Sequence, residues 1–551
     1  MAAPARTPQS SINDLRVSLE SLFSIVNPFN NSSAATNSTE TPLPIISKSL
    51  SSIVIFLSPA LATCPAWLLY TSLAIISIFL FIHFTIFTPP SNLRHLPRVS
   101  PYPIIWSYIV RESVDQRMKR CVLPLAERGE SVCAVWMLGK WGVHVLDGDI
   151  LKYLTHNPAL FPKKNYQEHL HFSFLSGPNV VFSNGEQWKR HSESVKAAFD
   201  REIPVYRFVS LAGDVMNMIG GSKEKGVVKI FSDLVQKYTL DVVGTTLLGH
   251  NFEALKTSSD DEELSFVDHF NQVMTSIATP VRLIFPFLDT YFPRTAVIAE
   301  VDALNARYDA VLEKKKGELG LDLLSYLLED DRLSHEELRS NLSILFSAGH
   351  DTTSGAIASC VYFLSRHPEY QQRARQEVLD VLQDRKEPAY DDHPKFKFLY
   401  ACIKEAMRIN PPISLLPARW TTEAVVLSNG RGGKEYPIPQ GISLVPNVWV
   451  VHNNPKVWKE PAVFDPCRFI PGEEKRGKVR PVHHIPFGTG PRQCVARQFS
   501  LYEQRTLLAM LLIEYEWRVP TDSEHREWVK NEFGAFGLSI PHHLDIEFVK
   551  L

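Results

Sequence analysis

One cysteine sits where the residue types around it could do chemistry: Phe487-Gly488-Thr489-Gly490-Pro491-Arg492-Gln493-Cys494-Val495-Ala496. Gly488 and Gly490 let the backbone turn tightly and approach a bulky flat ligand. Arg492, two residues before the thiol, favours the thiolate form and offers charge-assisted hydrogen bonds to an anionic cofactor edge. A cysteine that merely packs in a loop needs neither the glycines nor the arginine. A thiolate acting as the single strong ligand of haem iron pushes electron density onto the metal and favours O–O cleavage. The stretch therefore points to a haem held through Cys494.

Three further blocks lie upstream. Ala348-Gly349-His350-Asp351-Thr352-Thr353 falls inside a long apolar stretch. That stretch opens at Ser334 with Glu337 in capping-box spacing and closes at His367-Pro368, where proline ends a helix. Its roughly 33 residues at 1.5 Å each predict a helix about 50 Å long. Glycine, an acid and hydroxyls in mid-helix are locally unfavourable, which suits a groove opened for a small ligand better than plain packing. Glu405-Ala406-Met407-Arg408 places a carboxylate and a guanidinium on one helical face. Phe464-Asp465-Pro466-Cys467-Arg468-Phe469 supplies another arginine shortly before the cysteine turn. A fourth, imperfect block is Gly185-Glu186-Gln187-Trp188-Lys189-Arg190-His191-Ser192, whose Trp188 can donate its indole N–H to an acidic group.

Together these residues resemble the cytochrome P450 superfamily, whose haem loop reads Phe-x-x-Gly-x-Arg-x-Cys-x-Gly. Every fixed position matches except the last, where Ala496 replaces glycine. The resemblance spans about residues 95–551 and is best defined from Ser334 onward. It implies a mainly α (α+β) haem-thiolate domain with a small β-sheet, haem b as cofactor and Cys494 as axial iron ligand, with Phe487 and Gly488 in the cofactor loop. It further implies that Thr352 hydrogen-bonds the oxygen ligand at the iron while Asp351 relays protons through water, with Thr353 bonding back to its own helix. Glu405, Arg408 and Arg468 are implied to form a buried structural network. Trp188, Arg419 and Arg492 are implied to hold haem propionates. The arginine expected four residues after Trp188 is Ser192 here, so either Arg190 or His191 substitutes or the contact is lost.

The implied activity is insertion of one oxygen atom from O2 into a lipophilic substrate, a steroid, terpenoid or fatty acyl compound. No flavin- or NADPH-binding domain is fused, so electrons are expected from a separate NADPH-cytochrome reductase, with cytochrome b5 as a possible second donor. Arg120, Lys196, Arg480 and Arg497 are candidates for the docking face. Two other chemistries share the fold: a reductase-independent isomerase or dehydratase, disfavoured by Asp351-Thr352, and a non-catalytic gas-binding haem protein. Apolar side chains expected around the substrate include Phe172, Phe174, Leu175, Ile413, Leu415, Leu416, Phe533 and Phe536.

The chain that must position these residues has 551 amino acids, 44% hydrophobic and 21% charged, ordinary for a globular domain. Net charge is −2 and no basic tract stands out, which argues against a nucleic-acid partner. The seven cysteines are scattered and lack CxxC spacing, which argues against disulfides or zinc. Residues 1–48 are rich in Ser, Thr, Asn, Ala and Pro and read as a disordered, lumenal leader. Asn30, Asn31 and Asn37 there are sequon positions open to glycosylation. No Asp, Glu, Lys or Arg occurs from Ser49 to Leu93. Within that span, 49–65 is a membrane-proximal apolar piece, and 66–87 is about 33 Å long as a helix, enough to cross a bilayer. A proline-rich hinge, 88–103, leads into the haem domain, 104–551. Arg94 and Arg98 against Lys48 favour a cytosolic C-terminal side. The arrangement resembles that of microsomal members, single-pass in the endoplasmic reticulum membrane, and the Ser/Asn-rich leader resembles fungal ones. Strands are expected near Cys133–Leu138, Gly142–Leu146, Ala424–Leu427 and Ile442–Val445, and helices over Phe231–Leu248, Ser334–Arg366, Tyr370–Gln383 and Ala496–Glu514.

Overall fold

A computed structural model describes residues 66–164, 177–201, 203–220, 227–228, 231–256, 266–320, 322–430, 433–534 and 537–551. The sequons and the apolar piece at 49–65 lie outside these residues, as do Phe172, Phe174, Leu175 and Phe536. The charge-free segment forms helix α1 (Ala66–Ile82), continued by one π-turn over His83–Phe87. Its window Tyr70–Phe87 is long and apolar enough to cross a membrane, and Trp67, Tyr70, Ile75, Phe79 and Phe81 are exposed.

From Ile82 onward the chain forms one compact unit. The proline-rich segment is tied to a sheet: Ala134 N donates to Pro97 O at 2.8 Å and Val99 N to Ala134 O at 3.0 Å. Helix α2 (Pro101–Ile109) begins with proline in its first turn, where the missing N–H costs nothing. Helix α3 (Val114–Cys121) follows. Strands β1 (Val132–Met137) and β2 (Lys140–Val145) pair antiparallel through a two-residue turn at Leu138-Gly139, both with positive φ. A four-stranded sheet runs β1-β2-β7-β4, where β4 is Arg419–Trp420 and β7 is Ser443–Pro446. Only β2 and β7 are parallel. Smaller sheets join β3 (Val227–Val228), β9 (Ile546–Lys550) and β8 (Tyr515–Arg518), and pair β5 (Val425–Ser428) with β6 (Glu435–Ile438).

Helices dominate. Those that frame the site are α4 (Gly185–Phe199), α5 (Phe231–Val242), α6 (His335–Ser365), α7 (Lys397–Ile409) and α8 (Arg497–Glu514). Ser334 caps α6: its hydroxyl accepts from Glu337 N at 3.2 Å, and Glu337 accepts from Ser334 N at 3.0 Å. From Thr353 to Ser365 every side chain of α6 is buried, so this half is core on all sides. Helix α5 ends in a π-turn, Val243–Leu248, closed by Gly249 in the left-handed region (φ 61°). Gly349 of α6 faces that turn, and a Cβ there would meet Val243 at 2.9 Å. The missing side chain permits this close helix–helix approach.

Candidate active site

Glycine geometry sets the cysteine turn. Gly488 (φ 70°) and Gly490 (φ 78°) adopt a conformation that L side chains avoid. A Cβ on Gly490 would lie 2.8 Å from Thr155 O. The turn closes by Cys494 N donating to Phe487 O at 2.9 Å. Ala496 has φ −87°, ordinary for any residue, which is why alanine serves where the haem-loop pattern has glycine. Cys494 is exposed and lines a cavity of about 410 Å³. Burial raises its thiol pKa; the Ala496 N–H and the charges of Arg497 and Lys163 pull it back. A metal in that cavity would complete the shift to thiolate.

One wall of the cavity carries cations. Lys163 and Arg419 are opposite partners in an isolated antiparallel bridge, held by Lys164 N to Ala418 O and Trp420 N to Pro162 O, both 2.9 Å. Arg492 completes the group, stacked 4.8 Å over Trp188. It donates to Val181 O at 2.9 Å and Asn184 Oδ1 at 3.2 Å, but its buried Nε has no partner. Burial, then Arg419, pulls Arg492 down to about 9; burial takes Arg419 to about 10. Lys163 falls well below its ordinary value through burial and then its two neighbours. No carboxylate among the described residues pairs with any of the three.

Another wall is α6. Asp351, Thr352 and Thr353 all line the cavity. Thr352 Oγ1 donates to Ala348 O at 2.8 Å. Thr353, expected to bond back to its own helix, instead pairs with Ser500 of α8 at 3.0 Å, because α8 packs against that side. Asp351 Oδ1 accepts from Gln236 of α5 at 3.0 Å and lies 3.2 Å from His350 Nε2. That nitrogen has no hydrogen-bond partner, so charge, not an aligned bond, holds the contact. Burial opposes both charged forms, but each outweighs it for the other: His350 is raised and Asp351 lowered.

Behind the turn, Arg408 grips Glu405 through two N–H donors at 2.7 and 2.8 Å, and Arg468 Nε reaches the same carboxylate at 3.1 Å. Remaining donors go to the carbonyls of His452 (2.9 Å), Pro461 (2.7 Å) and Glu460 (2.9 Å). Both Glu405 and Arg408 are 0% exposed. The expectation for Arg190 and His191 fails. Arg190 ion-pairs with Glu337, and the buried His191 sits 3.3 Å from that carboxylate with Asn341 on its other nitrogen at 2.7 Å. Ser192 itself lines the cavity. Of the docking candidates, Arg120 pairs with Glu112 at 2.6 Å and Arg480 with Asp149 at 2.8 Å.

The family model described as Cytochrome P450 matches residues 96–543. The chain belongs to the cytochrome P450 family. Cytochrome P450 4F5 of Rattus norvegicus is 30% identical over 422 residues, covering 70% of this chain and 77% of the relative. Human cytochrome P450 4F3 is 29% identical over 425 residues, 70% and 78% of the two chains. Leukotriene-B4 omega-hydroxylase 3 of Mus musculus is 29% identical over 382 residues, 64% and 70%. As a P450, the protein is a haem-thiolate monooxygenase acting on a lipophilic substrate.

The residues fit a haem. The cavity offers a thiol, an apolar interior and three cations with no anion of their own, one with an orphaned buried N–H. Lys163 was not among the expected site residues. Its only sequence signal is a lysine following Phe161-Pro162, and its partner Arg419 is brought to it by the fold.

Proposed function

We propose that this P450 hydroxylates the acyl chain of a lipid, anchored in the endoplasmic reticulum membrane with its catalytic domain cytosolic and electrons delivered by an NADPH-cytochrome reductase, with cytochrome b5 as a second donor. The observation that carries the reading is one predominantly apolar cavity joining the Cys494 thiol to Ile413, Leu415, Leu416, Met137 and Leu138. Similarity to a protein named for omega-hydroxylation of leukotriene B4 favours an acyl substrate over the steroid or terpenoid also expected.

In this reading Cys494 ligates the iron, Lys163, Arg419, Arg492 and Trp188 hold the propionates, and Phe487 and Gly488 shape the loop beneath. Haem, when bound, supplies the O2-activating iron. Glu405, Arg408 and Arg468 hold the scaffold of the cysteine turn. The apolar walls exclude water and orient the chain. The Thr352 hydroxyl, now donating to Ala348 O, would donate a hydrogen bond into the cavity, and the Asp351 carboxylate would relay protons to it through water. The test is the carbon monoxide difference spectrum of the reduced protein, expected to show thiolate ligation that Cys494→Ser abolishes, together with reductase-dependent oxidation of long-chain lipids. A thiolate spectrum surviving in Cys494→Ser would remove the assignment.

A further inference from the structure

Arg117 of α3 is 2% exposed and lines the same cavity as Cys494, together with Tyr108, Met137 and Leu138. Its guanidinium packs 4.2 Å over the Tyr108 ring. A guanidinium carries five N–H donors; here one reaches Ser107 Oγ at 3.3 Å, and the buried Nε has no partner. No carboxylate among the described residues forms an ion pair with it. Asp115, two residues earlier on the same helix, is itself buried with an unpartnered Oδ1 and does not turn to it. Arg408 and Arg468, equally buried, each have Glu405 and backbone carbonyls. A buried cation without an anion is strongly unfavourable, and this one borders a cavity whose nearby wall, Met137 and Leu138, is apolar.

We infer that Arg117 is a specificity-determining residue that binds the carboxylate of the substrate, so that the lipid taken is a free acid. The inference rests on the acyl-lipid reading above and names its headgroup. A planar carboxylate matches the guanidinium fork with two parallel N–H···O bonds, and Tyr108 shields the pair from water. Elements α2, α3 and the β1–β2 turn build this part of the wall and supply none of the cysteine-turn residues. An acid anchored here therefore offers the chain remote from its carboxylate to the Cys494 side.

The experiment titrates the full-length ferric holoprotein with palmitic acid, its methyl ester and hexadecanol, following the absorbance shift and confirming by calorimetry. The acid is expected to bind roughly ten- to hundredfold tighter than the ester, the range for a hydrogen bond to a charged group. In Arg117→Met the ratio falls to about one while ester affinity and melting temperature hold, which a purely structural role would not produce. Arg117→Gln keeps a donor for Ser107 without the charge and serves if Arg117→Met does not fold. Equal binding of acid and ester by the unaltered protein, or an undiminished ratio in the variants, overturns the inference while leaving the acyl-lipid reading intact. If none of the three compounds binds, both fall together.

Discussion

Two buried charge assemblies sit on either side of the cysteine turn, and they are built oppositely. Around Glu405, two guanidiniums share one carboxylate and spend their remaining donors on carbonyls. Across the cavity, Lys163, Arg419 and Arg492 face one another with no acid between them. Like charges directly opposite on paired strands are destabilising, so the Lys163–Arg419 bridge is unfavourable until an anion arrives. The first assembly is complete as polypeptide; the second is complete only with ligand. Burial alone does not distinguish structure from function here. Satisfaction does.

The largest test breaks the first assembly. Glu405→Gln leaves two buried guanidiniums without a counter-charge and should cost about 3–5 kcal/mol, read by urea unfolding. A loss below about 1 kcal/mol would mean the network is not what holds the turn. The second test should have a different signature. Lys163→Met removes one member of a repelling group, so unfolding of the haem-depleted protein should stay within about 0.5 kcal/mol or improve. Haem release to a scavenger protein should meanwhile accelerate roughly tenfold, the effect of one lost charge-assisted contact. Destabilisation matching that of Glu405→Gln would erase the contrast.

The smallest effect concerns a pair that lies between the two designs, half-satisfied His350–Asp351. The folded pKa of His350 lies above 6.5, so its contribution is full below pH 6.5 and is lost as pH rises through the raised value. Asp351, lowered from 3.8, contributes above that pH and loses its share only in acid. The difference in unfolding free energy between the native protein and Asp351→Asn should thus be of order 1 kcal/mol near pH 6 and shrink toward pH 9. A difference that grows with pH would show that His350 does not supply the charge.

What the sequence disclosed follows the same division. Cys494, Gly488, Gly490 and the Glu405–Arg408 spacing are local, and local geometry fixed their reading; so did the Ser334–Glu337 cap of α6. Lys163 was invisible because its meaning lies in a bridge to a strand far along the chain. Arg190 and His191 sat at plausible positions, but Glu337 on α6 captured both. Thr353 pairs with Ser500 of α8 and Gly349 packs against the π-turn at Val243–Leu248, contacts between elements far apart in the chain that no local pattern announces.

The bridge between residues 162–164 and 418–420 has a consequence for tolerance to change. Side chains along extended backbone alternate between faces, and here Lys163 turns inward while Lys164 lies 4.7 Å over the Trp420 ring on the other side. A one-residue slip exchanges faces, and in one direction the tandem repeat still delivers an ammonium to the cavity. The duplicated lysine works as a one-way mechanical spare: deletion of one residue just upstream puts Lys164 where Lys163 stood, whereas an insertion puts Pro162 there and strips this wall of a positive charge.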